Sequence, residues 1–361
     1  MKILFLTLSK FSQFPTYKRA VGTGEALAQL GHRVLIAALD CEENRARMAK
    51  EAPHCEVVWF PRSGVLREAL VKFRAVWHLR PDVVYSTSYS PRNLSFLGWL
   101  LPRRTRKTLE FCELYSAYGQ TQGLWKIKER IALRENDCIL CASRYLYDYF
   151  VALMNRMNVA RRMIYSPYAY PDYLRPMEHK ISKRKTVVFM AALFANYGVY
   201  DVIGACEKLI QKGVDLELEV LGGGLEKEAA CEQVFRDGME ERIRIRGFVP
   251  EEDLNGYFSR ADVFVSPLHD TVQDKARCPS KIFYYIPYNK PIVTCALGDP
   301  LETLGENGFY YKPDDVDDLS RVIGEALAAS ERFAYPDGFI ARHSWRARAE
   351  ELMTLIERRM K

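Results

Sequence analysis

Apolar and polar positions fall into blocks that repeat along the chain. Residues 3–8 form an apolar run, a helical repeat over 21–30 stops at Gly31, and residues 32–38 are apolar again. A strand, a helix and a second strand at this spacing predict a β–α–β unit, hence a parallel sheet. Gly31 suits a helix end because it adopts the left-handed backbone at no steric cost. Further strands are predicted at 55–60, 82–85, 108–111 and 138–142, with helices at 64–79 and 124–133. Such short apolar runs fit strands buried on both faces.

The rhythm restarts after a polar stretch. Residues 171–185 carry Pro171 and Pro176 and end in Lys183, Arg184 and Lys185, which predicts a linker. Beyond it, strands are predicted at 186–190, 216–221, 243–245, 263–265 and 291–293, with a helix over 200–211. The strand at 216–221 runs into Gly222, Gly223 and Gly224, with a helix expected from about Leu225. Ala349, Leu352 and Ile356 at helical spacing make 339–361 a terminal helix. The fold class is therefore α/β, with two Rossmann-like domains at 1–175 and 176–340. Residues 341–361 are expected to form a helix crossing back to the first domain. A length of 361 residues suits two domains of about 150 residues each. Doubly wound domains bind phosphorylated ligands at the carboxyl ends of their strands, so two of them should face a central cleft.

Charge changes this picture. The formal net charge is +6, but Lys and Arg number 28 against 16 Asp and Glu up to Lys180, and 24 against 30 after it. The first half is expected to meet something anionic, such as a phosphate-bearing acceptor or a membrane surface. No segment approaches the roughly 18 uninterrupted apolar residues of a membrane span. The N-terminal apolar run is short and lacks a small-residue cleavage site, so it reads as a first strand. Nine cysteines without a framework of spacings fit a reducing cytoplasm. Cys138 and Cys141 would point to opposite sides of one strand, and no second pair completes a metal site, so no metal is expected. No helix or zinc module suited to reading nucleic acid occurs.

The second half carries the most specific motifs. Gly222–Gly224, the stretch 246–250 (Arg-Gly-Phe-Val-Pro), Leu254, Tyr257 and the stretch 261–267 (Ala-Asp-Val-Phe-Val-Ser-Pro) resemble, in order and spacing, the C-terminal domain of glycosyltransferase family 4. Residues 279–285 and 289–293 resemble that family's donor-site helix and following strand, and Gly308, Phe309, Tyr310, Ser344 and Trp345 also fit. In the first half, residues 31–34 and 81–85 fit more loosely, and Glu110-Phe111-Cys112-Glu113-Leu114 resembles an Asp-x-His-Glu-Leu stretch. The resemblance implies a GT-B fold. It also implies transfer of a sugar from a UDP- or GDP-linked donor, commonly with retention of configuration and without a bound metal. The departing nucleotide diphosphate gathers negative charge, which cations and helix N-termini stabilise.

Several family positions are replaced. Ala192 and Tyr197 stand where the phosphate-binding Arg and Lys are expected, Ala276 and Tyr284 where paired glutamates are expected, and Cys112 where a histidine is expected. Candidate substitutes are Arg277, Ser280 and Lys281, with Lys275, at the N-terminus of the donor-site helix. Asp270 and Asp274 in the same loop could contact sugar hydroxyls, or the loop is simply a solvated charged one. His269 adjoins it. The glycine turn lets a backbone approach a ligand closely. On the acceptor side, Glu113 is the candidate catalytic carboxylate, a general base or an orienter of a hydroxyl. Its alternative is a cap for residues 114–117. Lys10, Lys18 and Arg19, in a loop after the first strand, could meet an anionic acceptor. A basic segment with an aromatic head, Trp99 to Lys107, together with Lys72, Arg74 and Trp77, could dock on anionic lipid head groups.

Two function classes follow. One is a cytoplasmic transferase acting on a glycan or lipid-linked acceptor in cell-surface polysaccharide synthesis, with a possible place at the inner face of the membrane. The other is a degenerate GT-B protein serving as a binding or scaffolding partner.

Overall fold

The structure is a computed structural model that describes residues 1–13, 15–117, 122–171, 174–177 and 183–357. Part of the predicted linker and the last four residues of the predicted terminal helix lie outside the described residues. The chain divides into two compact units.

The first unit holds residues 1–169, 276–278 and 344–361. Its parallel strands are β1 (Lys2–Leu6), β2 (Arg33–Leu39), β3 (Glu56–Phe60), β4 (Val83–Ser86), β5 (Arg106–Phe111), β6 (Cys138–Cys141) and β7 (Arg162–Tyr165), in the order β3-β2-β1-β4-β5-β6-β7. The helices between them are α1 (Pro15–Gln29), α2 (Glu42–Glu51), α3 (Val65–Leu79), α4 (Gln122–Glu135) and α5 (Arg144–Met157). β1, β2 and β6 read as apolar runs because both faces of the central sheet are covered. Leu4 pairs with Leu35 on one side and Val84 on the other, and all three are buried. The order of connection reverses between β1 and β4. That makes their carboxyl ends the natural ligand position of the sheet.

The second unit holds residues 170–275 and 279–343. Its strands are β8 (Lys185–Met190), β9 (Leu216–Leu221), β10 (Ile243–Gly247), β11 (Val263–Ser266), β12 (Ile292–Cys295) and β13 (Phe309–Tyr311), in the order β10-β9-β8-β11-β12-β13. Its helices are α6 (Val199–Gln211), α7 (Lys227–Arg236), α8 (Leu254–Phe258), α9 (Val272–Ala276, whose last residue groups with the first unit), α10 (Ser280–Tyr285), α11 (Gly298–Leu304) and α12 (Val316–Ala329). One core joins the sheet to α6 and α12, with Val187, Ile203, Leu218, Val265 and Ile323 fully buried. Here the reversal falls between β8 and β11.

The last helix, α13 (Trp345–Glu357), is grouped with the first unit and packs on α1. Gly22 makes this possible: a Cβ there would lie 2.4 Å from the Trp345 indole. Gly22→Ala is therefore expected to cost about 1–3 kcal/mol by overpacking, read as a lower midpoint in chemical denaturation.

Candidate functional site

In the second unit the carboxyl ends of β8, β9 and β10 are locked together by backbone contact. The Gly222 N–H donates to the Gly247 carbonyl at 2.8 Å, and the Leu193 N–H donates to the Gly223 carbonyl at 3.0 Å. A Cβ on Gly222 would lie 1.7 Å from the Ala191 carbonyl oxygen, and one on Gly224 would lie 2.2 Å from that of Leu193. Two of the three glycines are thus required by the neighbouring backbone. Gly223 differs, since its Cβ position meets nothing closer than the Phe248 nitrogen at 3.6 Å. α6 begins at this same reversal point, and Gly198 before it is held in a left-handed turn against Pro267. The first N–H groups of a thirteen-residue helix favour anionic oxygens.

Phe248, beside the turn, is 82% exposed. It lines a hollow of about 430 Å³ with Arg246, Pro250, Tyr257 and Arg260. Arg246 is fixed by both oxygens of Glu219, at 2.7 and 2.9 Å. The motif is legible in the sequence but the exposure of the Phe248 ring is not, because exposure depends on the tertiary turn.

The other donor-side candidates separate. Ser280 and Lys281 open α10, and the Lys281 ammonium sits 5.0 Å from the Phe189 ring centre at the end of β8. Arg277 belongs with the first unit, where it approaches Glu113 at 4.0 Å. Its neighbours are held there too: the Ser143 hydroxyl donates to the Ala276 carbonyl at 2.7 Å, and the Tyr168 N–H donates to Cys278 Sγ at 3.3 Å. Asp274 corrects the expectation of a sugar contact. It is 7% exposed and accepts the His269 N–H at 2.9 Å, so its carboxylate organises the loop. Asp270 pairs with Lys275, and His269 pairs through Nδ1 with Asp314 at 2.6 Å.

In the first unit the acceptor-side residues are rearranged. Residues 9–19 are not one loop, since Phe11–Gln13 form a 3-10 turn and α1 starts at Pro15. The turn is tied to α2, with the Phe11 N–H donating to Asn44 Oδ1 at 2.8 Å and the Ser12 N–H to Glu43 Oε1 at 2.7 Å. Lys10 and Lys18 remain half-buried, Lys18 over the Phe11 ring. Arg19 is the clear correction. It lies on the buried face of α1, its side chain 5% exposed, paired to Glu110 at 2.5 Å and donating to the Ser166 carbonyl at 2.6 Å. Burial by itself would lower the guanidinium pKa, but the facing carboxylate outweighs it and raises that pKa well above the ordinary value. Glu110 is therefore committed to structure, leaving Glu113, just beyond the end of β5, as the half-exposed carboxylate. Burial and the adjacent Glu110 push the Cys112 thiol pKa up, so it stays protonated and poorly nucleophilic.

Lys72, expected at a lipid-facing surface, is fully buried and donates to the Thr7 carbonyl, Glu68 and Asn93. It braces the carboxyl end of β1 instead.

With this geometry in place, comparison with known proteins decides the family. A family described as "Glycosyl transferase 4-like domain" matches residues 18–167, and one described as "Glycosyl transferases group 1" matches residues 184–329. The chain belongs to the family 4-like glycosyltransferases. Each half of this glycosyltransferase thus carries its own family match, and the two Rossmann-like units are those of the GT-B fold. A glycosyltransferase structure from Rickettsia africae aligns with a TM-score of 0.76 at 15% identity, covering 100% of this chain and 98% of that one. The Anabaena HepE structure in complex with UDP and glucose aligns at 0.72 and 16%, covering 99% and 98%. Among curated proteins, the 2-deoxystreptamine N-acetyl-D-glucosaminyltransferase of Niallia circulans is 26% identical over 139 residues, covering 38% of this chain and 34% of that one. The GDP-mannose-dependent alpha-(1-6)-phosphatidylinositol monomannoside mannosyltransferase of Mycolicibacterium smegmatis is 26% identical over 201 residues, 52% of each. The chain spans between a third and about half of the length of these relatives.

Proposed function

We propose that this glycosyltransferase moves a sugar from a UDP- or GDP-linked donor to a glycan or lipid-linked acceptor in cell-surface polysaccharide synthesis, working in the cytoplasm at the inner face of a membrane. The observation that carries the reading is the locked turn at the ends of β8 and β9. It leaves Gly223 open beside the exposed Phe248 ring, with the α6 N-terminus and Lys281 on the same unit. An aromatic face suits a nucleobase, while a cation and free helix N–H groups suit a diphosphate. In this reading Lys281 takes over charge that the usual family cations supply elsewhere, since Ala192 and Tyr197 hold no cation. Glu113 serves on the acceptor side, where it can hold a hydroxyl or accept its proton. The stabilisation of the leaving diphosphate is electrostatic and asks for no resident metal.

The test is calorimetric titration with UDP, GDP and their sugars. Wild type is expected to bind one of these nucleotides, and Lys281→Ala to weaken binding about tenfold or more, the scale of a lost charge-assisted contact. Absence of binding at millimolar concentrations refutes the donor site and favours the scaffolding reading. Unchanged affinity in Lys281→Ala refutes the substitute cation alone.

A further inference from the structure

α3 and α4 each bury one acid and expose several bases, although Lys72 of α3 is buried beside Glu68 and Glu135 at the end of α4 is half-buried. On α3, Glu68 is 3% exposed while Arg67 and Arg74 are exposed. On α4, Glu129 is 1% exposed while Lys126, Arg130 and Arg134 are exposed. Ordinary solvated helices mix the two signs on their outer face. The same outer faces also carry large apolar side chains at helical spacing. Leu66, Leu70 and Trp77 stand out on α3, and Leu124, Ile127 and Ile131 on α4.

The two helices are joined by residues 98–100. The Trp77 indole N–H donates to the Leu100 carbonyl at 3.2 Å, and the Trp99 backbone N–H donates to Glu135 Oε2 at 3.2 Å. Gly98 closes the contact, because a Cβ there would lie 2.3 Å from the Glu135 carbonyl. Trp99 itself is 69% exposed. Beside α4, an open hollow of about 750 Å³ is rimmed by Lys126, Arg130, Arg134 and Arg156, with Leu153 and Met157 beneath, and no carboxylate lines it. A second hollow of about 330 Å³ is lined by Arg103, Arg104, Arg106 and Arg162, with Asp137.

We propose that this face, formed by α3, the Trp99 turn and α4, docks the enzyme on the surface of a bilayer containing anionic lipids. The inference deepens the membrane part of the reading above, and it is tested without turnover or nucleotide. Charge complementarity names the occupant: outward bases attract lipid phosphates, and the hollow beside α4 accepts a head group over an apolar floor. The Leu, Ile and Trp side chains then enter the interfacial layer, where amphipathic rings and apolar stripes are favoured. Among the described residues no helix is long and apolar enough to cross a membrane. Nucleic acid would use the bases but gain nothing from the apolar stripe.

The experiment is sedimentation of the full chain with vesicles of phosphatidylcholine alone or mixed with phosphatidylglycerol. Binding is expected only to the mixed vesicles, and to weaken with salt. Arg130→Gln with Arg134→Gln should weaken it on the order of tenfold or more, at about fivefold per removed charge. Ile127→Ser with Ile131→Ser should also weaken it, while both pairs, being exposed, keep the wild-type melting temperature. Lack of sedimentation with mixed vesicles overturns the proposal, as does wild-type binding by both variants. Displacement by RNA together with indifference to the isoleucine changes would instead mark a nucleic-acid surface, and also overturns it. Nucleotide titration of the same variants reports the donor site separately, so the two readings fail independently.

Discussion

Lys72→Met is expected to destabilise the protein by about 3–5 kcal/mol, the cost of removing one partner from a buried ion pair. The lysine is 1% exposed and bridges Thr7, Glu68 and Asn93 in a single buried network. Methionine fills much of the same volume but leaves the Glu68 carboxylate, 3% exposed, with only Arg92 at 3.4 Å. Replacing Glu68 by glutamine in the same chain should recover part of the loss, because the uncompensated charge goes with it. Burial lowers the Lys72 pKa to about 8 from an unfolded value of 10.5. Between those values the unfolded chain binds more protons than the folded one, so stability conferred by Lys72 rises with pH across that window. The gap between wild type and Lys72→Met should therefore widen by up to about 3 kcal/mol from pH 8 to pH 10.5. Urea denaturation at pH 7 and pH 10 reads it. A gap that stays constant would mean that the ammonium is hydrated in the folded state.

Gly222→Ala should be comparably damaging, at about 3 kcal/mol or more, with loss of nucleotide binding. The added methyl would stand 1.7 Å from the Ala191 carbonyl oxygen, and φ is +150°, which an alanine rarely adopts. Neither obstacle can be relieved by turning a side chain, so the ends of β8 and β9 must part. Gly223→Ala is the informative contrast. Its nearest neighbour is at an ordinary 3.6 Å and its backbone is unstrained, so stability should change by less than about 0.5 kcal/mol. If a nucleotide lies against this turn, Gly223→Val will nonetheless cut UDP or GDP affinity while the melting temperature holds. Equal affinity for wild type and Gly223→Val would move the ligand off the turn.

Much of the framework was legible because its signals are local. The strands at β1 and β2 are largely runs of apolar residues, β8 is apolar after its first two residues, β9 alternates apolar residues with Glu217 and Glu219, and parallel pairing follows from the helices between them. The motifs at Gly222, Arg246 and Pro279 all sit in one unit, so their order in sequence survives folding. Element boundaries were less legible. The reading of 9–19 as a loop missed the start of α1, since Pro15 suits the first turn of a helix as well as it suits a loop. α2 carries too polar a pattern to stand out, and β7 is only four residues long.

The site was legible in kind and not in detail. Gly222 and Gly224 were read as making room for a ligand, yet the backbone of residues 191–193 already fills that room. Arg19 and Lys72 are expected at the surface because most cations are; Glu68 stands one helical turn before Lys72, but Thr7 and Asn93, which complete its burial, are distant in sequence. Glu110 lies 91 residues from Arg19, so no local pattern links them. Asp274 looked available, but its partner is the backbone N–H of His269, a group that every loop supplies.

By itself the sequence determined the two parallel-sheet units and the family, because periodicity and motif order are written along the chain. It also determined the excess of positive charge in the first half. Tertiary structure decided which charges remain at the surface, since burial of an ion depends on polar partners that folding brings together: Glu110 for Arg19, and Thr7 and Asn93 besides the nearby Glu68 for Lys72. It likewise decided that Glu68 of α3 and Glu129 of α4 are buried while Arg67, Arg74, Lys126, Arg130 and Arg134 stay exposed, and that Gly223 rather than its neighbours is the open position in the turn.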